Sequence, residues 1–154
     1  PLGIEVMPVV QHYDRDSYSP EEIFSGFREM LQRTSQLLNR EGQLILISPE
    51  GTRGEKGSQR GLIRAQRAIA HFSRMNPQVW YLPMAIIPRA DNYGLGLFSK
   101  GEVRVGELFQ AEDVKRAGIA QGLGLADAMM LRVADLLPQE MQGVYAPYIK
   151  GEDH

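Results

Sequence analysis

Leu44-Ile45-Leu46-Ile47-Ser48-Pro49-Glu50-Gly51-Thr52-Arg53-Gly54 begins as four consecutive apolar residues and ends as a polar loop bracketed by glycines. An unbroken apolar run of this length, bounded by Gly42 and Pro49, fits a strand covered on both faces, as in parallel sheets. Immediately upstream, Ser19-Pro20-Glu21-Glu22 supplies an N-cap, a proline for the first helical position and a glutamate at N3. Ile23, Phe24, Phe27, Met30, Leu31, Leu37 and Leu38 then recur at offsets 0, 1, 4, 7, 8, 14 and 15, one apolar stripe on a helix that Gly42 terminates. The stripe predicts packing on something large. Downstream, residues 59–75 predict a second helix with Leu62, Ile63, Ile69 and Phe72 on its narrow apolar side. Helix, buried strand and helix in succession predict an α/β fold, a mostly parallel sheet flanked by helices.

The remaining chain extends this pattern. Ile4, Val6, Val9 and Val10, broken by Pro8, read as an extended or edge segment over 4–13. Residues 79–87 predict another buried strand, carrying Pro83, and residues 101–106 a half-exposed one, with a glycine-rich loop between them. A short helix over 112–121 and a last amphipathic helix from Leu125 to Leu137, stopped by Pro138, precede an irregular tail through Tyr145 and Tyr148. With 154 residues and no repeat or linker, one domain over 1–154 is expected. A formal charge of -2 gives no global basic field, so nucleic acid is not an expected partner. The absence of cysteine excludes disulfides, a thiol nucleophile and cysteine-ligated metal, and no metal site is expected.

The polar loop follows the carboxyl end of the predicted strand, the edge at which open α/β sheets bind ligands. Its glycines permit close backbone approach, Thr52 offers a hydroxyl and Arg53 a planar fork that matches two phosphate oxygens. Such a loop can hold a phosphate. It is not a P-loop, because Lys56-Gly57-Ser58 reverses the required order, and Gly94-Leu95-Gly96 does not continue as a dinucleotide fingerprint. A solvated surface pairing of Arg53 with Glu50 or Glu55 is the competing reading.

Pro49-Glu50-Gly51-Thr52-Arg53 resembles the F-P-E-G-T-R-S block of the glycerolipid acyltransferases, the family that includes 1-acylglycerol-3-phosphate acyltransferases. Further blocks fall in the family's order. Asp14-Arg15 resembles F-I-D-R, Ile63-Arg64 a variant of the F-K pair, and Tyr81-Leu82-Pro83-Met84-Ala85-Ile86 the V-P-V block. Leu137-Pro138 followed by Gln142-Gly143-Val144-Tyr145 also fits, so the resemblance spans residues 9–145. It implies transfer of a fatty acyl group from a thioester of coenzyme A or acyl carrier protein to a hydroxyl of a glycerol phosphate or lysophospholipid, a step of phospholipid biosynthesis. No resident cofactor is implied, because the acyl thioester is a substrate. By position, Arg15, Glu50, Gly51, Thr52 and Arg53 would bind the acceptor phosphate, and Arg64 and Pro83 would lie on the acyl or donor side. The resemblance also implies association with a membrane at its cytoplasmic side. Ser48 and Gly54 replace the flanking phenylalanine and serine, and Gln66 stands where the family often has glycine.

The family's general base, a histidine oriented by an aspartate in N-H-x-x-x-x-D, has no counterpart in this sequence. His12 is near Asp14 and Asp16, but the fifth residue after it is Ser17 and it lies inside the D-R block. His12 is therefore a weak catalytic candidate, the catalytic residue is unassigned, and the catalytic histidine is expected upstream of Pro1. On that expectation the 154 residues alone are inactive.

Arg60, Arg64, Arg67, His71 and Arg74 are spaced by 4, 3, 4 and 3, a basic stripe on one helical face. It is either solvated or meets anionic lipid headgroups or a phosphorylated donor. Trp80, Tyr81, Met84, Met129 and Met130 have core-like spacings and are expected to pack, with an acyl groove as the lesser alternative. The alternative to an enzyme is a non-catalytic module that binds a phosphorylated or acyl ligand or a lipid headgroup.

Overall fold

The computed structural model describes residues 17–40, 42–50, 61–88 and 101–149. Helix α1 spans Pro20–Leu38, opened by the expected capping box: Ser19 Oγ accepts the Glu22 N–H and the Glu22 carboxylate accepts the Ser19 N–H at 2.8 Å. That hydrogen bond also holds the Glu22 carboxyl below its ordinary range. Helix α2 spans Arg67–Met75, α3 Ala111–Ala120 and α4 Leu125–Ala134. Four short strands, β1 (Trp80–Tyr81), β2 (Met84–Pro88), β3 (Gly101–Val105) and β4 (Phe109–Gln110), lie between α2 and α3. The described residues end in two 3-10 turns, Gln139–Met141 and Gly143–Tyr148.

The expected parallel sheet is not formed. Among the described residues the strands make two separate antiparallel pairs, β1 with β4 and β2 with β3. Leu44–Ile47, read as a buried strand, has no strand conformation, and Leu44 and Leu46 are 88% and 87% exposed. A doubly covered strand needs a ladder partner on each side, and no described strand pairs with this segment. Its apolar character met the sequence criterion for burial without the partners that burial requires.

Residues 79–87 do turn extended, but Pro83 divides them. Proline has no N–H for a ladder, and the register changes there: Tyr81 faces Phe109, whereas Met84 faces Val105. Residues 106–108 thus oppose only 82–83, a bulge fastened by the Gly106 N–H to the Pro83 carbonyl at 3.0 Å. The resulting ribbon buries Ala85 and leaves Met84, Ile86, Val103 and Val105 exposed. Trp80 is also exposed, so the packing expectation fails for Trp80 and Met84 and holds for Met129 and Met130, which are buried, and for Tyr81, which packs against the core.

The core is helical. Ile69 and Ala70 of α2, Val114 of α3 and Ala126, Ala128 and Met129 of α4 close around Phe109. Tyr81 stacks on Phe109 with ring centroids 5.6 Å apart, and the Arg132 guanidinium covers Phe109 at 5.8 Å. A Ser73 hydroxyl, 2% exposed, donates to the Ile69 carbonyl and accepts from the Tyr81 hydroxyl at 2.8 Å, which satisfies both polar groups inside the cluster. Helix α1 attaches to this body through α2, with Asn76 Nδ2 donating to Ser35 Oγ at 3.0 Å and Phe27 meeting the edge of His71. Of the α1 stripe only Leu31 is buried, and Phe24 is 68% exposed, because no sheet lies beneath this helix among the described residues.

Candidate functional site

The expected second helix begins at Arg67 rather than near residue 59, and the reason lies in backbone partners. Residues 61–66 form an extended strap whose N–H groups are taken by distant acceptors. The Leu62 N–H reaches the Met141 carbonyl at 3.0 Å, and the Leu62 carbonyl accepts the Val144 N–H at 3.0 Å. The Ile63 N–H reaches Glu50 Oε1 at 2.7 Å, the Ala65 N–H the Tyr145 hydroxyl at 2.8 Å, and the Gln66 N–H the Pro49 carbonyl at 2.7 Å. A helical turn would forfeit these bonds, so tertiary partners override the local apolar periodicity.

Glu50 and the strap close the two ends of the segment that carries Gly51-Thr52-Arg53. Glu50, expected to bind the acceptor phosphate, accepts the Ile63 N–H through Oε1 at 2.7 Å. Its carboxylate caps a backbone N–H, a role that suits an anion, whereas an anion beside a phosphate would repel it. Gly51, Thr52 and Arg53 lie outside the described residues, as do Arg15 and His12.

Tyr145 stands behind the strap. It is 1% exposed, its hydroxyl accepts the Ala65 N–H and donates to Asp127 Oδ1 at 2.8 Å. The other Asp127 oxygen lies 3.9 Å from Arg64, whose side chain is 73% exposed, so that ion pair contributes under about 1 kcal/mol. Arg64 is thus joined to Glu50 through the strap, while Pro83 sits apart at the bulge of the ribbon. His71, the single histidine among the described residues, is on the exposed side of α2 with Arg67 and Arg74. Arg64 is not on that helix, so the basic stripe is shorter than its spacing suggested, and Arg60 lies outside the described residues.

Burial first, then its hydrogen bond to Asp127, pushes the Tyr145 phenol far above the ordinary value of 10.0. The folded protein therefore keeps this proton where the unfolded chain releases it. The associated stability is present below pH 10.0 and declines as pH rises beyond it. Urea unfolding between pH 8 and 11 (about the range over which free tyrosine ionises) should show this decline, and Tyr145→Phe should make it shallower. An equal slope in both proteins would show that Tyr145 is not the group responsible.

Sequence reasoning missed Tyr145 and Asp127. Tyr145 was in a tail without periodicity, although the Gln142-Gly143-Val144-Tyr145 block was visible in it. Asp127 carried a clearer signal as the one acid within Leu125–Ala134. Among the described residues no group of three His, Asp or Glu side chains could hold a metal ion. A cleft between α3, α4 and the last turn is lined by Asp113, Arg132, Asp135 and Tyr148, and none of the expected site residues lies on it.

Comparison with protein-family models, with curated proteins and with solved structures finds no match for the chain. Among the described residues no helix is long and apolar enough to cross a membrane.

Proposed function

We propose that the chain serves acyl transfer from an acyl thioester to a glycerol phosphate or lysophospholipid hydroxyl, with the segment after Glu50 binding the acceptor phosphate. The observation that carries this reading lies in the described residues on either side of that segment: Glu50 Oε1 accepts the Ile63 N–H at 2.7 Å and the Pro49 carbonyl accepts the Gln66 N–H at 2.7 Å. Clamped ends reduce the ordering cost when a loop closes around a small anion. Gly51, Thr52 and Arg53 provide close approach, a hydroxyl and a bidentate cation, as the resemblance to Pro-Glu-Gly-Thr-Arg blocks implies.

In the reaction the acceptor hydroxyl attacks the thioester carbonyl, a base takes its proton, and the thiol leaves. No described residue is assigned as that base. Exposed Arg67, His71 and Arg74 along α2 support contact with anionic headgroups, and membrane association at the cytoplasmic side belongs to the same reading. Leu82 and Met84, exposed beside Pro83, offer apolar groups to the acyl side.

Calorimetric titration of the full chain with glycerol 3-phosphate tests the phosphate site. Arg53→Ala should weaken binding at least about tenfold, the cost of a charge-assisted bidentate contact. Glu50→Gln keeps an oxygen for Ile63 and removes a negative charge, so it should bind at least as well as the parent. Equal binding by the parent and Arg53→Ala would refute the site.

A further inference from the structure

We infer that the outer face of the β2–β3 ribbon, continued to Trp80, enters the boundary between headgroups and acyl chains of an anionic lipid bilayer. Exposure alternates without a break from Trp80 to Ile87: Trp80, Leu82, Met84 and Ile86 are exposed, whereas Tyr81, Pro83, Ala85 and Ile87 turn inward. Pro83 changes the partner of the strand and leaves the phase of its side chains intact. Across the ribbon Val105 stands opposite Met84 and Val103 opposite Ile86, so β3 adds two more exposed apolar groups to the same face. Ile86 is 72% exposed and Trp80 59%.

The charges of β3 lie on the other side. Glu102 and Arg104 alternate with Val103 and Val105, and Arg104 donates to Glu102 at 2.6 Å and to the Leu136 carbonyl at 3.0 Å. An antiparallel ribbon with one face in water carries its polar residues on that face. This ribbon does the reverse, with its ion pair on the inner side and its aliphatic groups outward. That is the pattern of a sheet with an apolar neighbour on its outer side.

Area and charge select the neighbour. The six outward side chains, each exposed by about half of its surface, present on the order of 400 Å². A stable dimer buries about 800 Å² on each partner, so a second copy seated on this face alone is undersized. A bilayer sets no such minimum, because every apolar group that enters it adds to binding. The sequence supplies the complementary charge: from Gly61 to Pro88 it holds Arg64, Arg67, His71 and Arg74 and no Asp or Glu. A cationic stretch that runs into an apolar face with a tryptophan at its edge matches the headgroup level of an anionic membrane, where Trp rings and Lys or Arg side chains gather. Membrane association is the part of the reading above on which this rests, and acyl transfer plays no part in it.

The test uses the full chain and vesicles of equal parts phosphatidylcholine and phosphatidylglycerol, with phosphatidylcholine alone as the uncharged comparison. Trp80 is the one tryptophan in the sequence, so its emission reports on this face directly. In the parent it should move to shorter wavelength on binding and be quenched when the acyl chains carry bromine. Ile86→Thr combined with Val103→Thr keeps β-branched side chains at exposed positions and should weaken binding to both vesicles by roughly tenfold. Arg67→Gln combined with Arg74→Gln should weaken binding by about tenfold to the anionic vesicles only. Bound parent whose Trp80 emission is neither shifted nor quenched, or a threonine variant that binds as tightly as the parent, overturns the lipid role of the ribbon and leaves membrane contact to α2. A parent that sediments as a dimer without lipid, with the threonine variant a monomer, gives the face to a second copy and overturns it as well. A parent that binds neither vesicle removes the membrane association of the reading above together with the role of the ribbon, whereas the acceptor site is decided separately by glycerol 3-phosphate.

Discussion

Gly143→Ala should remove a large part of the protein's stability, on the order of 3–5 kcal/mol out of a typical 5–15. Two separate costs add at this position. Gly143 has φ +55, a left-handed conformation that costs a residue with a side chain about 1–2 kcal/mol. A Cβ there would also overlap the Leu62 carbonyl oxygen and lie 2.5 Å from the Leu62 nitrogen and 2.8 Å from the Gly61 carbonyl carbon. Those atoms are backbone and cannot rotate away. They also carry the two hydrogen bonds that hold the strap to Met141 and Val144, so relief of the clash costs those bonds. Gly122 supplies the internal comparison, since its φ is +72 but a Cβ there meets nothing within 4 Å. Gly122→Ala should therefore cost only the conformational part, about 1 kcal/mol. The check is urea unfolding of the two variants: a lower midpoint with similar slope for each, and a much larger drop for Gly143→Ala. Equal drops would mean that the close approach of the last turn to the strap does not exist in solution.

These glycines also separate what the sequence made legible from what it did not. Helix ends were readable where the signal is local. Ser19-Pro20-Glu21-Glu22 opens α1, and Gly122 ends α3 in a Schellman arrangement, the Leu123 N–H on the Gly118 carbonyl and the Gly122 N–H on that of Ile119. Strand pairing was not readable. The run Leu44–Ile47 has the composition of a doubly buried strand, but composition does not specify a neighbour, and the described strands pair with one another. The strap shows the same limitation from the other side. Leu62, Ile63, Ile69 and Phe72 have helical spacing, yet Leu62 and Ile63 give their N–H groups to Met141 and Glu50, contacts that span up to 79 residues and leave no local trace. Of the candidate site, the position of Glu50 beside a polar loop was legible. Its use as a clamp on Ile63 was not, because a carboxylate that caps an N–H and one that faces a ligand have the same sequence.

Gly118→Ala carries the second large effect, and its sign is a contest between two opposed terms. Alanine is favoured over glycine in a helix by about 1 kcal/mol, so an exposed helical glycine would gain by the change. Gly118 is instead buried where α3 crosses α4, and a Cβ there would collide with the Ala128 Cβ, with the Ala128 Cα at 3.6 Å behind it. Ala128 is 3% exposed and its side chain has no rotamer by which to yield, so α3 and α4 must separate. Separation opens the contacts among Val114, Ala126 and Met129, and overpacking of this kind costs about 1–3 kcal/mol beyond the propensity gain. The net expectation is destabilisation by roughly 2 kcal/mol, enough to lower the melting temperature of a domain this size by several degrees. A double-mutant cycle makes the cause specific. Ala128→Gly alone should cost about 2 kcal/mol, through helix propensity and a lost core methyl. Combined with Gly118→Ala it moves the one methyl group from α4 to α3 and removes the collision. The double variant should then be more stable than Gly118→Ala alone, with a coupling of at least about 2 kcal/mol. Simple additivity of the two changes would place the cost of Gly118→Ala somewhere other than the α3–α4 crossing.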